Sequence, residues 1–211
     1  MLLALEGIAG AGKSTVRDRL LAHTAGGPHR AVDLGQFSWL DPVATRTLIQ
    51  LRAGGKPRGA LSAARRDLAL HVSYNLAPAL DAGTVLADRW IISTACLLAL
   101  AGRRGVEHHL AELAAQTAAY PDITVLLTTP AHVCLARIWR REAGRRFIEE
   151  PAIATRLAEL YESAADTWTR LTGATVIRHS CRTEDDLESI TSQCLQLIGA
   201  HGAIPGAPDA P

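Results

Sequence analysis

Two lysines stand against twenty arginines in this chain, and one of the two, Lys13, lies in the stretch LEGIAGAGKST at residues 5–15. Gly7-Ile8-Ala9-Gly10-Ala11-Gly12-Lys13-Ser14 fits the spacing G-x-x-x-x-G-K-[ST], with a short apolar run before it and helical spacing after it. These residue types share one chemistry. Glycines let successive backbone N–H groups turn toward an anion. A helix that begins there directs its positive end at the same point. A compact ammonium reaches the β- and γ-phosphates where a broad guanidinium would not fit, and a serine hydroxyl suits Mg2+. Gly7, Ala9, Gly10, Ala11, Gly12, Lys13, Ser14 and Thr15 are therefore expected to hold the phosphates of a nucleoside triphosphate. An N-K-x-D base-reading motif is absent, because the single asparagine, Asn75, is followed by Leu76. That argues against a GTPase switch.

Asp88-Arg89-Trp90 follows the apolar segment TVLAD, residues 84–88. In an open parallel sheet, ligands bind at the carboxyl ends of strands. Asp88 is then beside the phosphate loop, able to hold Mg2+ through water, and Arg89 can grip a transferring or acceptor phosphate. Residues 137–146, RIWRREAGRR, carry Arg137, Arg140, Arg141, Arg145 and Arg146 around Gly144. A mobile arginine-rich segment fits a lid, at about 141–150, that excludes water and stabilises charge on the moving group. Helical spacing cannot aim all five inward, and Arg141, Arg145 and Arg146 are the candidates. Asp33 ends the second strand. It is either a general base toward a hydroxyl acceptor or a turn-forming aspartate bonded to its own backbone. Aromatic residues are scarce, at 4 %, so Phe37, Trp39, Tyr74 and Trp90 are candidates to line an acceptor pocket. Arg66 is a further candidate there.

The elements that must position these groups read as α/β. Strands are expected at 2–5, 30–34, 84–88, 123–128 and 174–179. Helices are expected at 13–23, 41–53, 62–82, 91–101, 107–119, 131–143, 151–171 and 183–199. Asp41-Pro42 supplies an N-cap followed by a first-turn proline. The all-apolar ITVLLT suits a strand buried on both faces, and the alternation implies a parallel sheet covered on both sides. Residues 1–199 form one domain, and 200–211 are expected to be a disordered tail. A net charge of +1 argues against nucleic acid or an anionic membrane as partner. No apolar segment is long enough to span a bilayer, the N-terminus lacks the basic flank of a signal peptide, and the four cysteines show no metal or disulfide spacing. The expected setting is the cytoplasm.

The segments LEGIAGAGKST, PALDAGTVLADRWIIST, PDITVLLTTP and ARIWRREAGRRFIEEPAIATRLAELYESAAD resemble, in order and spacing, the thymidylate kinase family of P-loop nucleoside monophosphate kinases. The resemblance implies a three-layer P-loop kinase fold with a parallel five-stranded sheet and an Arg-rich lid. It also implies Mg-ATP as donor, a small-molecule phosphate acceptor and a homodimer. The matching residues would be Lys13 and its loop for ATP, Ser14 and Asp88 for Mg2+, and Arg89 with lid arginines for the phosphoryl group. The acceptor-reading positions differ from the family's pattern. The Arg-Glu-Pro-Gly-Gly segment is here DLGQFSWLDP, the Ala-Tyr-Gln is Cys96-Leu97-Leu98, and the loop's acidic residue is Ala9. The long-helix arginine has no in-register match, Arg65 and Arg66 being offset. The acceptor is expected to be a nucleoside monophosphate or close analogue. The alternative is a hydroxyl-bearing nucleoside or secondary metabolite with Asp33 as base, and beyond it a non-catalytic nucleotide-binding protein.

Overall fold

A computed structural model describes residues 1–26, 30–140 and 146–202. Strands β1 (Leu2–Glu6), β2 (Ala31–Leu34), β3 (Thr84–Asp88), β4 (Ile123–Leu127) and β5 (Val176–His179) form one parallel sheet in the order β2-β3-β1-β4-β5. The central β1 is Leu-Leu-Ala-Leu-Glu, buried throughout, as a strand covered on both faces must be. Its register puts Leu5 beside Asp88 of β3 and Glu6 beside Leu126 of β4. The carboxyl ends of β1, β2 and β3 therefore deliver Glu6, Asp33 and Asp88 to one edge of the sheet.

Helix α1 (Lys13–Thr24) starts directly out of the glycine loop, with no side-chain cap. Helix α2 (Pro42–Arg52) starts as expected: the Asp41 carboxylate accepts from the N–H groups of Val43 and Ala44 at 2.8 and 2.9 Å. The expected helix over 62–82 is α3 (Ala60–His71), a π-helical stretch (Val72–Leu76) and α4 (Ala77–Ala82). The break has a local cause. Pro78 has no N–H to continue the ladder, and the wider turn before it absorbs the mismatch. Helix α5 (Ile91–Ala101) is buried along its first eight residues, against α6 (Val106–Ala114) and α8 (Pro151–Thr172). Helix α6 ends before the expected boundary, and a separate 3-10 turn covers Thr117–Ala119. Helix α7 (Ala131–Trp139) precedes the segment expected to be a lid, and α9 (Glu184–Gly202) packs along α1. The lid candidates Arg141 and Arg145, and the expected tail from residue 203, lie outside the described residues. Helix α9 runs on through 200–202, past the expected start of that tail. Among the described residues no helix is long and apolar enough to cross a membrane, and no cluster of His, Cys, Asp and Glu could hold a metal ion by itself. The four cysteines are free and buried.

One turn shows how tightly the sheet edge is built. Gly83 joins α4 to β3 with φ of 155°, and a Cβ there would stand 2.2 Å from the Arg30 carbonyl oxygen. Gly83→Ala should destabilise the fold by about 2 kcal/mol or more. For a chain of this size, that lowers the thermal midpoint by about 4–8 °C. Differential scanning calorimetry reads it; an unchanged midpoint would mean that the β2–β3 edge relaxes freely.

Candidate active site

The loop between β1 and α1 curls around its own lysine. Gly10 adopts φ of 81°, and a Cβ on it would meet the Cys134 carbonyl oxygen at 2.5 Å, so only glycine lets the loop approach α7 this closely. The Lys13 ammonium donates to the carbonyls of Gly7 at 3.0 Å and Ile8 at 2.8 Å. Burial, then the neighbouring Arg89, lower its pKa from 10.5 to about 7. The loop holds an ammonium whose charge burial opposes and a bound anion would restore.

Arg89 makes a second cation beside the first. Its backbone is left-handed, with φ of 70°, an unusual conformation for a non-glycine residue. Its guanidinium donates to the same Gly7 carbonyl at 2.8 Å and to the Tyr161 hydroxyl at 2.7 Å. Tyr161, from α8, lies 2.6 Å from the Ser93 hydroxyl, which donates to the carboxylate of Glu6. Glu6 also accepts from the N–H groups of Trp90 at 3.0 Å and Ser93 at 3.2 Å. Burial raises the Glu6 pKa, while the Ser93 bonds and Arg89 oppose that rise. The chain Arg89→Tyr161→Ser93→Glu6 thus begins on a positive charge and ends on a buried carboxyl, and it fixes the strained arginine. Sequence reasoning missed Glu6, Ser93 and Tyr161. The available signals were a glutamate closing an otherwise apolar strand and a serine four residues after Arg89.

Asp88 ends β3, Asp33 stands one residue before the end of the adjacent β2, and Arg17 lies between them. Its guanidinium is 3.1 Å from Asp88 and 3.7 Å from Asp33. Burial raises the Asp33 pKa, Arg17 opposes, and Asp88 adds to the rise. Arg17 was also missed. It sits four residues after Lys13, one turn along the same face of α1.

These groups open onto one cavity of about 570 Å3. Gly10, Gly12, Lys13, Ser14 and Thr15 line it, as do Ala9, Asp33, Asp88, Arg89 and Arg146. So do Arg52, Arg137 and Arg182, which the sequence reading did not select, with Gln36 and Glu149. Arg137 donates to the Gly10 carbonyl at 3.3 Å and the Arg182 carbonyl at 3.0 Å, linking α7 to the loop before α9. Arg52 ends α2 over the Phe37 ring, 5.9 Å from its centre, and burial, then Arg89 and Arg146, lower its pKa.

The aromatic candidates divide. Trp39 lines the cavity. Phe37 is buried behind it, edge-on at 5.4 Å, and does not reach the cavity. Trp90 belongs to the core. It is 1 % exposed, donates its indole N–H to the Ala119 carbonyl at 2.7 Å, and packs on His71 at 4.8 Å. The left-handed turn at Arg89 is the reason: it sends the arginine to the loop and the next side chain inward. Tyr74 is exposed on the π-helical stretch, away from the cavity lining. Arg66 pairs with Asp41, the cap of α2, and is likewise absent from that lining.

Residues 59–177 match the family model described as thymidylate kinase. The chain belongs to the thymidylate kinase family. It is 36 % identical over 160 residues to a thymidylate kinase of Desulfovibrio desulfuricans, with 67 % of each chain covered. It is 28 % identical over 218 residues to one of Xylella fastidiosa, with 97 % of each covered. A solved structure of thymidylate kinase from Candida albicans shares the fold, with a TM-score of 0.64 at 15 % identity, over 95 % of this chain and 92 % of that one. The family match holds β3, Asp88-Arg89, β4 and α8. The glycine loop and the β2–α2 loop precede it.

The lowered pKa of Lys13 gives a test of the loop. Between pH 7 and 10.5 the free folded chain lacks a proton that the unfolded chain binds, so stability rises with pH across that window. A phosphate seated on Lys13 restores its charge, so ATP binding at about pH 8.5 takes up close to one proton. Calorimetric titrations in two buffers of different ionisation enthalpy measure the uptake. Equal heats in both would mean that the lysine is already charged in the free protein.

Proposed function

We propose that the chain transfers the γ-phosphoryl group of ATP to the phosphate of a nucleoside monophosphate. Membership of the thymidylate kinase family makes it an ATP-dependent phosphotransferase. One observation carries the acceptor class. Arg52, Arg89 and Arg146 line the same cavity as the glycine loop, and Arg52 is close enough to the other two for them to lower its pKa. Clustered guanidiniums are complementary to a second phosphate, which they can grip with paired N–H donors.

The residues present fit the donor. The loop that Gly10 keeps open is a cradle for the phosphates of ATP, and Ser14 and Asp88 offer Mg2+ the oxygen ligands it takes. Mg-ATP, when bound, supplies the phosphoryl group and spreads its charge. Lys13 exchanges the Gly7 and Ile8 carbonyls for phosphate oxygens. Arg89, fixed through Tyr161 and Ser93, orients the acceptor phosphate. Arg146, with Arg141 and Arg145 from the lid at about 141–150, closes the site to water and stabilises the transferring group. The reading extends to a kinase domain over residues 1–199 and to a cytoplasmic homodimer, both on the family resemblance alone.

A second reading has Asp33 as base toward a hydroxyl acceptor. Its support is the cavity-lining position and raised pKa of that carboxyl. A coupled ADP-release assay with Mg-ATP against monophosphates and nucleosides separates the two. An acceptor phosphate is already ionised and needs no base, so Asp33→Asn should cost less than about tenfold in kcat on a monophosphate. Turnover confined to nucleosides, with a loss of about 100-fold or more in Asp33→Asn, would move the protein to the second reading.

A further inference from the structure

The β2–α2 loop carries two features that phosphate transfer leaves unused. The first is Gln36, which is 8 % exposed and lines the main cavity. The Thr94 hydroxyl donates its single proton to the Trp90 carbonyl at 3.0 Å, so toward Gln36, 3.2 Å away, it can only accept. The amide nitrogen of Gln36 therefore faces Thr94, and its carbonyl oxygen faces away. That oxygen is buried, and no group among the described residues donates to it. A buried acceptor without a donor is costly, and a ligand that supplies the donor recovers the cost.

The second feature is Trp39. It is 47 % exposed on the cavity and has a left-handed backbone, with φ of 60°. Such a conformation persists only where the surroundings hold it. Here Ser38 is fastened on one side: its N–H and hydroxyl donate to the buried Asp67 of α3, at 3.0 and 2.6 Å. The Leu40 N–H donates back to the Ser38 hydroxyl at 3.2 Å, and Phe37 supports the indole edge. A fixed, half-open aromatic face and a buried unpaired carbonyl lie along one short loop at one cavity.

We infer that Gln36 and Trp39 select the base of the acceptor nucleotide: the ring stacks on Trp39, and an N–H on its edge donates to Gln36 Oε1. The substrate class is a monophosphate whose planar base carries such an N–H. The inference rests on the monophosphate reading above. A site built around a hydrogen bond rejects a ligand that lacks the partner far more strongly than an apolar site does.

The test compares the native protein, Gln36→Leu and Trp39→Ala on a panel of nucleoside monophosphates, including the preferred one with its base N–H groups replaced by N-methyl. Gln36→Leu should lower kcat/KM on the preferred nucleotide by about 10–100-fold, chiefly through KM, and flatten the preference among bases. The N-methyl analogue should lose as much on the native protein and nothing further on Gln36→Leu. Trp39→Ala should weaken all bases by a similar factor. An unchanged base preference in Gln36→Leu, or native turnover of the N-methyl analogue equal to the parent, overturns the inference alone. The analogue arm needs no variant, so it decides even if Gln36→Leu fails to fold. Absence of turnover on every monophosphate overturns the proposed function and this inference together.

Discussion

Two basic side chains share one carbonyl oxygen at the centre of this protein. Lys13 and Arg89 both donate to the Gly7 carbonyl, and both are withdrawn from bulk water. Positive charge gathered at the end of a buried strand is unfavourable unless something opposite lies within reach. The folded chain supplies it in part, through Asp88 and the buried Glu6, and leaves the open side for a ligand. The glycine loop, the left-handed turn at Arg89 and the hydrogen-bonded chain through Tyr161 and Ser93 all serve that arrangement.

The sheet order is what makes it possible. With β1 between β3 and β4, the loop that follows β1 opens beside the end of β3, so residues 7–13 and 88–89 meet without any long excursion of the chain. The helix that leaves the loop carries Arg17 back over Asp88 and Asp33. The two carboxylates thereby have a countercharge from the same element that supplies the phosphate lysine.

On the far side of the cavity the β2–α2 loop is pinned at three points. Gly35 is bonded through its carbonyl to His71 at 2.9 Å, Gln36 is bonded to Thr94, and Ser38 is bonded to Asp67. Phe37 fills the space between α3 and α5, and the void left there is only about 10 Å3, enough for a single water. The segment that departs most from the family's pattern thus remains well anchored, by contacts of its own.

The sequence alone determined whatever rests on short-range pattern. The glycine-rich loop with its lysine, the strand ending in Asp88, the Asp41-Pro42 helix start and the alternation of strands with helices are each encoded within a few residues. Local sterics and capping decide them, and they led directly to the parallel five-stranded sheet and to the phosphate loop. Only the tertiary structure decided which side chains face the cavity. Trp90 reads as a pocket aromatic, yet one left-handed residue before it turns it into the core. Arg17, Arg52 and Arg182 are ordinary surface arginines in a chain with twenty of them, until helix packing and strand order bring them to one space. The Glu6–Ser93–Tyr161 chain joins residues 87 and 68 positions apart. No local pattern records a hydrogen bond of that span, because its energy exists only when three separate elements have already packed.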